Sequence, residues 1–556
     1  MKEVLLRKSY KTFRKWRLFV QKKISQVTMP EYTIFSIYAI VIGIIVGLAA
    51  VSFHTAIHLF NTYFFEKSTE GLYFLGAGAV IFLPAVGMFI QSMMIKFAPE
   101  TAAKRGVGEV IKSVALRGGY IPFRTTLFHF IAPVICIGSG GTVGPEGPAA
   151  QLGGGVSSKF ANLIGLSDSR RRVFTAAGSG AAISAIFNTP LGGIFFALEV
   201  VLMNDFHAPT FTALILASVT ASAISRILLG DSSVFIFDSP GFTEYEQLYL
   251  FIILGLAAGI LSVFFVRYSH YTSTLFKDNF LKKYPRWLVM TFIGLVVGVC
   301  GYFYSEVFGI GYIAINSILA NQLTVSVVAV LLVMKFFLVP LMLNSGGFGG
   351  VFAPSLFIGA CLGFIYAFAL NHFFGFEVQS TTYILVAMGA VLGGINSIPL
   401  SSILIIFEMT KDYSYILPLM LAVIISTTLV QLLEKSSIHL KHLEDEGFKL
   451  SQGRDAGILR KILVKDVMRN DIVLIPENTS LPKLISQLIE SPHGTFYIVN
   501  KEEVIVGRIT ENDLRPIITE YENLVDVIVA RDIAKPDVNT VNEQYDLEQV
   551  LKLFGH

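Results

Sequence analysis

The stretch Ser139-Gly140-Gly141-Thr142-Val143-Gly144-Pro145-Glu146-Gly147-Pro148 decides the architecture, because it occurs twice. Its second copy is Ser345-Gly346-Gly347-Phe348-Gly349-Gly350-Val351-Phe352-Ala353-Pro354. Both read S-G-G-x-x-G-x-x-x-P, and the offset stays at 206 residues: 345 against 139, 350 against 144, 354 against 148. Each copy is followed by a Pro-Leu pair with an acid nine residues beyond the proline, Pro190-Leu191 with Glu199 and Pro399-Leu400 with Glu408. A single Gly-rich loop is weak evidence of anything. Two copies with matching downstream segments indicate a duplicated structural unit.

That unit lies in apolar sequence. Of 556 residues, 53% are hydrophobic and 15% charged, at a mean hydropathy of +0.64, whereas an ordinary soluble domain carries about 25% charged residues. A soluble enzyme is therefore excluded. So are a disordered chain, a collagen and a disulfide scaffold, given 46 Phe, 48 Gly without a three-residue period and 3 Cys. Cys136, Cys300 and Cys361 sit in apolar surroundings as small buried hydrophobes. Long apolar windows recur from Tyr32 to Leu433, among them Ile34–Leu59, Leu248–Val266 and Val325–Leu343. Some reach the ~20 residues that a spanning helix needs, and others are short and interrupted by Gly and Pro. Broken segments of this kind place helix ends near the bilayer midplane. The expected fold is an all-α polytopic membrane protein of two inverted-topology repeats with broken helices, about 32–230 and 245–442, followed by a C-terminal cytoplasmic α/β region.

Residues 1–31 form a basic arm, with nine Lys/Arg against Glu3 within the first 23 residues. It reads as cytoplasmic by the positive-inside rule and lacks the pattern of a cleaved signal peptide. The expected location is an inner or plasma membrane, multi-pass, with both termini cytoplasmic. A net charge of +3 implies no nucleic-acid partner.

The duplicated loops suit an anion. Gly-rich turns present bare backbone N–H groups, here at Gly144 and Gly147, and a helix that starts just after such a turn aims its positive dipole end into the loop. Partial charges bind an anion loosely enough to release it, as conduction requires. Close helix packing through small residues is the alternative reason for the glycines, but it accounts for neither the flanking prolines nor the duplication. Glu146 is an ionisable group in an apolar region, and such groups are costly and functional by default. As a carboxylate it competes for the anion site. Once protonated it is free to leave, which makes it a gate coupled to pH.

These motifs resemble the CLC family of chloride channels and chloride/proton antiporters, over about Tyr32 to His442. Gly138 to Pro148 is similar to the family's G-[KR]-E-G-P segment, with Glu146 at the gating glutamate. Gly350-Val-Phe-Ala-Pro354 resembles its G-x-F-x-P segment, where the N–H groups of Val351 and Phe352 face the central anion. The Pro190/Glu199 segment and Phe407-Glu-Met-Thr-Lys-Asp412 also match. The resemblance implies a glutamate-gated chloride pathway, voltage- or pH-gated, in each subunit of a homodimer. It implies no required cofactor.

Three departures bear on the anion. Where the family's first anion-binding segment reads G-S-G-I-P-E, this chain has Lys104-Arg105-Gly106-Val107-Gly108-Glu109, which puts Arg105 at the serine. Two roles fit Arg105, a direct ligand or a snorkelling cation paired with an acid at the cytoplasmic mouth. His439 stands in place of the pore tyrosine, and Pro145 removes one N–H from the gating loop. A fourth departure bears on protons. The position after Glu199, acidic in many antiporters of the family, is Val200. That favours a passive channel, with the antiporter as the alternative.

After a linker over 443–463, residues 464–518 resemble a CBS domain, and a partial second copy runs over 530–556. Gly507-Arg-Ile-Thr510-Glu-Asn-Asp513 matches a pattern that contacts ribose in CBS domains binding adenine nucleotides. Thr510 reads equally as a helix N-cap. A CBS-bearing divalent-cation transporter is a more distant reading. It would need several carboxylates or carbonyls facing one pore, and the key acid here sits among N–H donors. An intramembrane enzyme finds no H-E-x-x-H or G-x-S-x-G motif.

Overall fold

The computed structural model describes residues 30–434 except 72, 204–207, 232–233, 236 and 238–244, and residues 462–554 except 469–471, 492–493, 511–512, 515–516, 518–523, 526 and 537–539. His439 and the 443–461 part of the linker lie outside the described residues. The chain divides into two compact units, 1–450 and 451–556.

The first unit is helical throughout. Its first half runs α1 (Glu31–Gly71), α2 (Leu83–Phe97), α3 (Pro99–Ala103), α4 (Gly106–Leu116), α5 (Phe123–Gly138), α6 (Glu146–Ile164), α7 (Asp168–Phe187), α8 (Pro190–Phe196) and α9 (Ala208–Leu229). Its second half runs α10 (Leu248–Leu275), α11 (Leu281–Lys283), α12 (Arg286–Phe303), α13 (Tyr312–Leu319), α14 (Val325–Ser345), α15 (Phe352–Phe373), α16 (Ser380–Asn396), α17 (Pro399–Thr410) and α18 (Ile416–Leu433). Among the described residues, eight helices are long and apolar enough to cross a membrane, while α5, α8, α16 and α17 are shorter apolar pieces.

Packing repeats as the sequence does. In the first half α6 packs on α7 and α1 on α9; in the second, α15 packs on α16 and α10 on α18. The inner pairs are nearly all buried, and small residues let them approach closely: Gly153 and Gly154 in α6, Gly178 in α7, Gly359 and Gly363 in α15. The outer helices leave large apolar side chains such as Leu48, Phe264, Ile424 and Leu432 exposed. In water such a surface would aggregate; in lipid it is the expected finish.

The breaks have local causes. Each of α8 and α17 begins on a proline at its first turn, Pro190 and Pro399, where a missing N–H costs nothing. The preceding helices stop on residues in the left-handed conformation, Asn188 (φ 58°) and Ser397 (φ 57°). The two halves thus break their chains at corresponding points.

The second unit contains α19 (Val464–Val467), β1 (Leu474–Pro476), α20 (Leu481–Glu490), β2 (Thr495–Val499), β3 (Ile505–Thr510), α21 (Ala530–Ile533) and α22 (Leu547–Phe554). The sheet order is β1-β2-β3, parallel then antiparallel. Its core joins Ile475, Leu481, Leu484, Phe496, Ile498 and Ile509 to Ala530 and Ile533. A second duplication is visible here. Leu463 bridges Asp546, Val529 bridges Ser480, and both pairs of equivalents lie 66 residues apart: 529 against 463, 546 against 480. Ala530 and Ile533, at the start of the expected second copy, pack into the core of the first.

Candidate functional site

The two Gly-rich loops meet head-on. Gly144 N–H donates to Gly350 O at 2.9 Å, and Gly350 N–H donates to Gly144 O at 2.7 Å. Reciprocal bonding between equivalent residues is the mark of a two-fold relation. The N–H of Gly144 is thus taken by the other loop. The donors left at this junction are the first N–H groups of the two helices that start here, α6 and α15. Each helix carries proline at its third position, Pro148 and Pro354, and α6 has Pro145 as its N-cap as well, so two of the four usual orphan donors remain at α6 and three at α15.

Glu146 lies across this junction. It is 2% exposed, and its Oε1 accepts from Ala353 N–H at 3.1 Å, at the N-terminus of the opposite repeat's α15. Its Oε2 is buried and has no hydrogen-bond partner. A carboxylate of the first repeat therefore occupies the positive end of a helix of the second. Gly144 makes room for it, since a Cβ there would collide with Oε2. Gly350 lies under the same group, its added Cβ 3.0 Å from Gly147 N and 3.1 Å from Oε2. Val351 is the N-cap of α15 and Phe352 its first residue, and both line the junction. The Phe352 ring packs on Phe187, with centroids 4.9 Å apart. Ala353, whose N–H meets the carboxylate, was not among the residues expected from sequence.

Gly106 begins α4, but its N–H donates to Gln151 Oε1 at 2.7 Å, and Gln151 Nε2 donates to Lys104 O at 2.6 Å. Gln151 thus closes the end of α4 from α6. The Arg105 guanidinium reaches Leu343 O and Gly347 O, each at 3.5 Å, and lies 5.4 Å from the Phe348 ring centroid. It holds the second repeat's loop through carbonyl oxygens.

Lys335 is a residue that sequence reasoning passed over. It is fully buried in α14. Its Nζ donates to Gly309 O at 3.1 Å and lies 5.0 Å from the Phe357 ring centroid. Gly309 N–H in turn meets Gly140 O at 3.4 Å, tying this turn to the first Gly-rich loop. The signal was present: Lys335 is a lone cation within the apolar run Val325–Leu343.

The two Pro-Leu helices cross and exchange acids. Glu199 accepts from Leu400 N–H (3.2 Å), Ser401 N–H (3.0 Å) and Ser401 Oγ–H (2.6 Å) at the start of α17. Glu408 accepts from Leu191 N–H (3.0 Å) and Gly192 N–H (2.9 Å) at the start of α8. After Glu199 come Val200 and Val201, both buried.

A model of the voltage gated chloride channel family matches residues 86–431. The chain belongs to the CLC family. Among its CLC relatives, chloride channel protein CLC-e of Arabidopsis thaliana is 27% identical over 545 residues, covering 86% of this chain and 75% of the relative. The H(+)/Cl(-) exchange transporter ClcA of Vibrio cholerae is 28% identical over 444 residues, covering 77% and 94%. In fold, the chain is similar to a slow cyanobacterial Cl-/H+ antiporter at a TM-score of 0.68 and 22% identity, over 76% of this chain and 99% of that one. It is equally similar to a eukaryotic CLC transporter, at a TM-score of 0.68 and 17% identity, over 94% and 93%. This CLC protein is an integral multi-pass anion transporter, and a CBS model matches residues 464–520.

In the CBS region, the three residues singled out for a nucleotide have structural partners. Asp513 Oδ2 accepts from Thr510 N–H (2.9 Å) and Thr510 Oγ–H (2.6 Å), and Lys535 Nζ pairs with Oδ1. The Lys535 ammonium, with the Thr510 hydroxyl and amide, holds the Asp513 carboxyl well below the usual carboxylate range. Gly507 admits the second copy, since a Cβ there would lie 2.9 Å from both Ala534 Cβ and Lys535 O.

Proposed function

We propose that this CLC protein passes chloride-type anions passively, through a pathway in each subunit of a homodimer that Glu146 opens and closes. One observation carries the reading: the Glu146 carboxylate sits at the N-terminus of α15, the electrostatic place of an anion, with one oxygen unpartnered. A negative group tethered there excludes a free anion. Protonation removes its charge and its claim on the helix end. The N–H donors around it are wrong for a divalent cation, which takes oxygen ligands. Passive conduction is supported by the buried Val200 and Val201, which carry no proton, and by the engagement of Glu199 in capping α17.

Exchange for protons is the second reading, favoured by the likeness to the exchange transporter ClcA. The two differ in one measurement, the reversal potential of purified protein in liposomes under separate chloride and proton gradients. A potential that ignores the proton gradient supports the channel, and one that moves with it overturns the channel in favour of exchange. In the same liposomes Glu146→Gln is expected to keep anion flux and lose its pH dependence. A wild-type pH profile in that variant refutes the gate. The protein resides in an inner or plasma membrane with both termini cytoplasmic, and its CBS region tunes the pathway, with an adenine nucleotide as its candidate ligand. A variant ending near 444 is expected to retain flux.

A further inference from the structure

The 206-residue offset that relates the Gly-rich loops also relates the helices beside them. It carries Glu146 onto Phe352, the first residues of α6 and α15, and Gly106 onto Tyr312, the first residues of α4 and α13. Four helix N-termini therefore come in two equivalent pairs. At two of these starts the structure shows what meets the donors: Gln151 at α4 and Glu146 at α15. A third, α13, begins with a tyrosine.

The Tyr312 hydroxyl is buried and has no hydrogen-bond partner. α13, which Tyr312 begins, packs on α15, whose second residue, Ala353, meets Glu146. The Tyr312 ring meets Phe235 edge-on with centroids 5.9 Å apart, and the preceding turn is held by Lys335 on Gly309 O and by Gly140 O on Gly309 N–H. A buried polar atom without a partner is destabilising, so native proteins leave few of them. The Tyr312 hydroxyl and Glu146 Oε2 are two of them. A buried hydroxyl with a proton to donate and no acceptor in the protein points to an acceptor that comes from outside it.

We infer that the Tyr312 hydroxyl is a direct ligand of the transported anion, donating its proton to the anion that replaces the Glu146 carboxylate. This rests on the reading of Glu146 as the gate. It supplies a side-chain O–H donor to a pathway in which Arg105 and His439 stand where hydroxyl residues are expected. A neutral donor holds an anion without trapping it, as a pathway requires.

The test measures chloride binding to the full-length protein by isothermal titration calorimetry in the Glu146→Gln background, where the competitor is neutral. Adding Tyr312→Phe keeps the ring and deletes only the hydroxyl. The expected result is a loss of chloride affinity of roughly tenfold or more, smaller for iodide, a poorer hydrogen-bond acceptor. Tyr312→Met, which lacks the hydroxyl without relying on ring stacking, is expected to lose affinity in the same order of halides. Chloride affinity within twofold of the Glu146→Gln parent in either variant overturns the assignment of Tyr312 and leaves the gate standing. A Glu146→Gln parent that neither binds nor passes chloride overturns both.

Discussion

Glu199 and Glu408 each cap a helix of the other repeat: Glu199 holds the start of α17 with three hydrogen bonds, and Glu408 holds the start of α8 with two. Both acids follow their own prolines by nine residues, so a single sequence pattern, duplicated, builds a closed exchange between the halves. Charged acceptors at helix N-termini favour the folded form through both the orphan N–H groups and the dipole.

If these acids are structural, removing one is felt in stability and not in transport. Glu199→Gln is expected to lower stability by about 1–2 kcal/mol while the reversal potential stays where it was. Glu408→Gln should behave alike. Thermal unfolding in detergent beside liposome flux reads both. A Glu199→Gln protein with altered proton coupling and unchanged stability would assign Glu199 to a proton route instead.

Gly144 offers a test of the proposed gate that leaves Glu146 itself in place. Its backbone is not left-handed, so alanine is tolerated, and the new Cβ meets the far end of a flexible side chain, the Glu146 carboxylate. Gly144→Ala is expected to displace that carboxylate, raise flux at neutral pH and flatten its pH dependence. Flux that keeps the wild-type profile would show that the carboxylate has room to stay.

Lys335 pits stability against function. A buried ammonium facing a carbonyl and a ring gains less from these neutral partners than it loses in desolvation. Lys335→Met is therefore expected to keep or raise the melting temperature while lowering anion flux several-fold, because the hydrogen bond that holds the Gly309 turn, and through it the first Gly-rich loop, is gone. A variant that loses both the fold and the flux would make Lys335 a structural residue.

Asp513 gives the CBS region a pH dependence of known sign. Its carboxyl is held low in the folded state by Lys535 and Thr510, so the stability it adds is full above the unfolded value of about 3.9 and drains away as pH falls below it. Lys535 is exposed, which keeps the effect modest. Asp513→Asn is expected to lower the melting temperature of the tail by a few degrees at pH 7 and by less at pH 3. The same loss at both pH values would remove the charge from the account.

The architecture was legible because duplication is a one-dimensional signal. Gly144 and Gly350, and Glu199 and Glu408, stand at matched spacings that need no structure to be seen. Glu146 was legible because an acid in an apolar stretch has few bland explanations. What sequence did not reveal was the pairing of donors with acceptors. Nothing in the order of residues says that Gln151 reaches the N–H of Gly106, that Ala353 rather than the bridged Gly144 faces the carboxylate, or that Thr510 and Lys535 take up Asp513. Those facts depend on which helix ends meet in three dimensions. Tyr312 was invisible for the same reason: a tyrosine in an apolar region is ordinary until its hydroxyl proves to be unpartnered.

The Gly144–Gly350 bridge has a mechanical meaning. Together with the two exchanged acids it fastens the halves to each other through seven hydrogen bonds. Each such bond is worth about 0.5–1.5 kcal/mol. A transport cycle that rocked one half against the other would have to strip these fastenings and rebuild them at every turn. Rotation of Glu146 about its own side-chain bonds gives up only the contact with Ala353. On the proposed gating the main chain is a fixed frame, and the moving part of the machine has the size of one side chain.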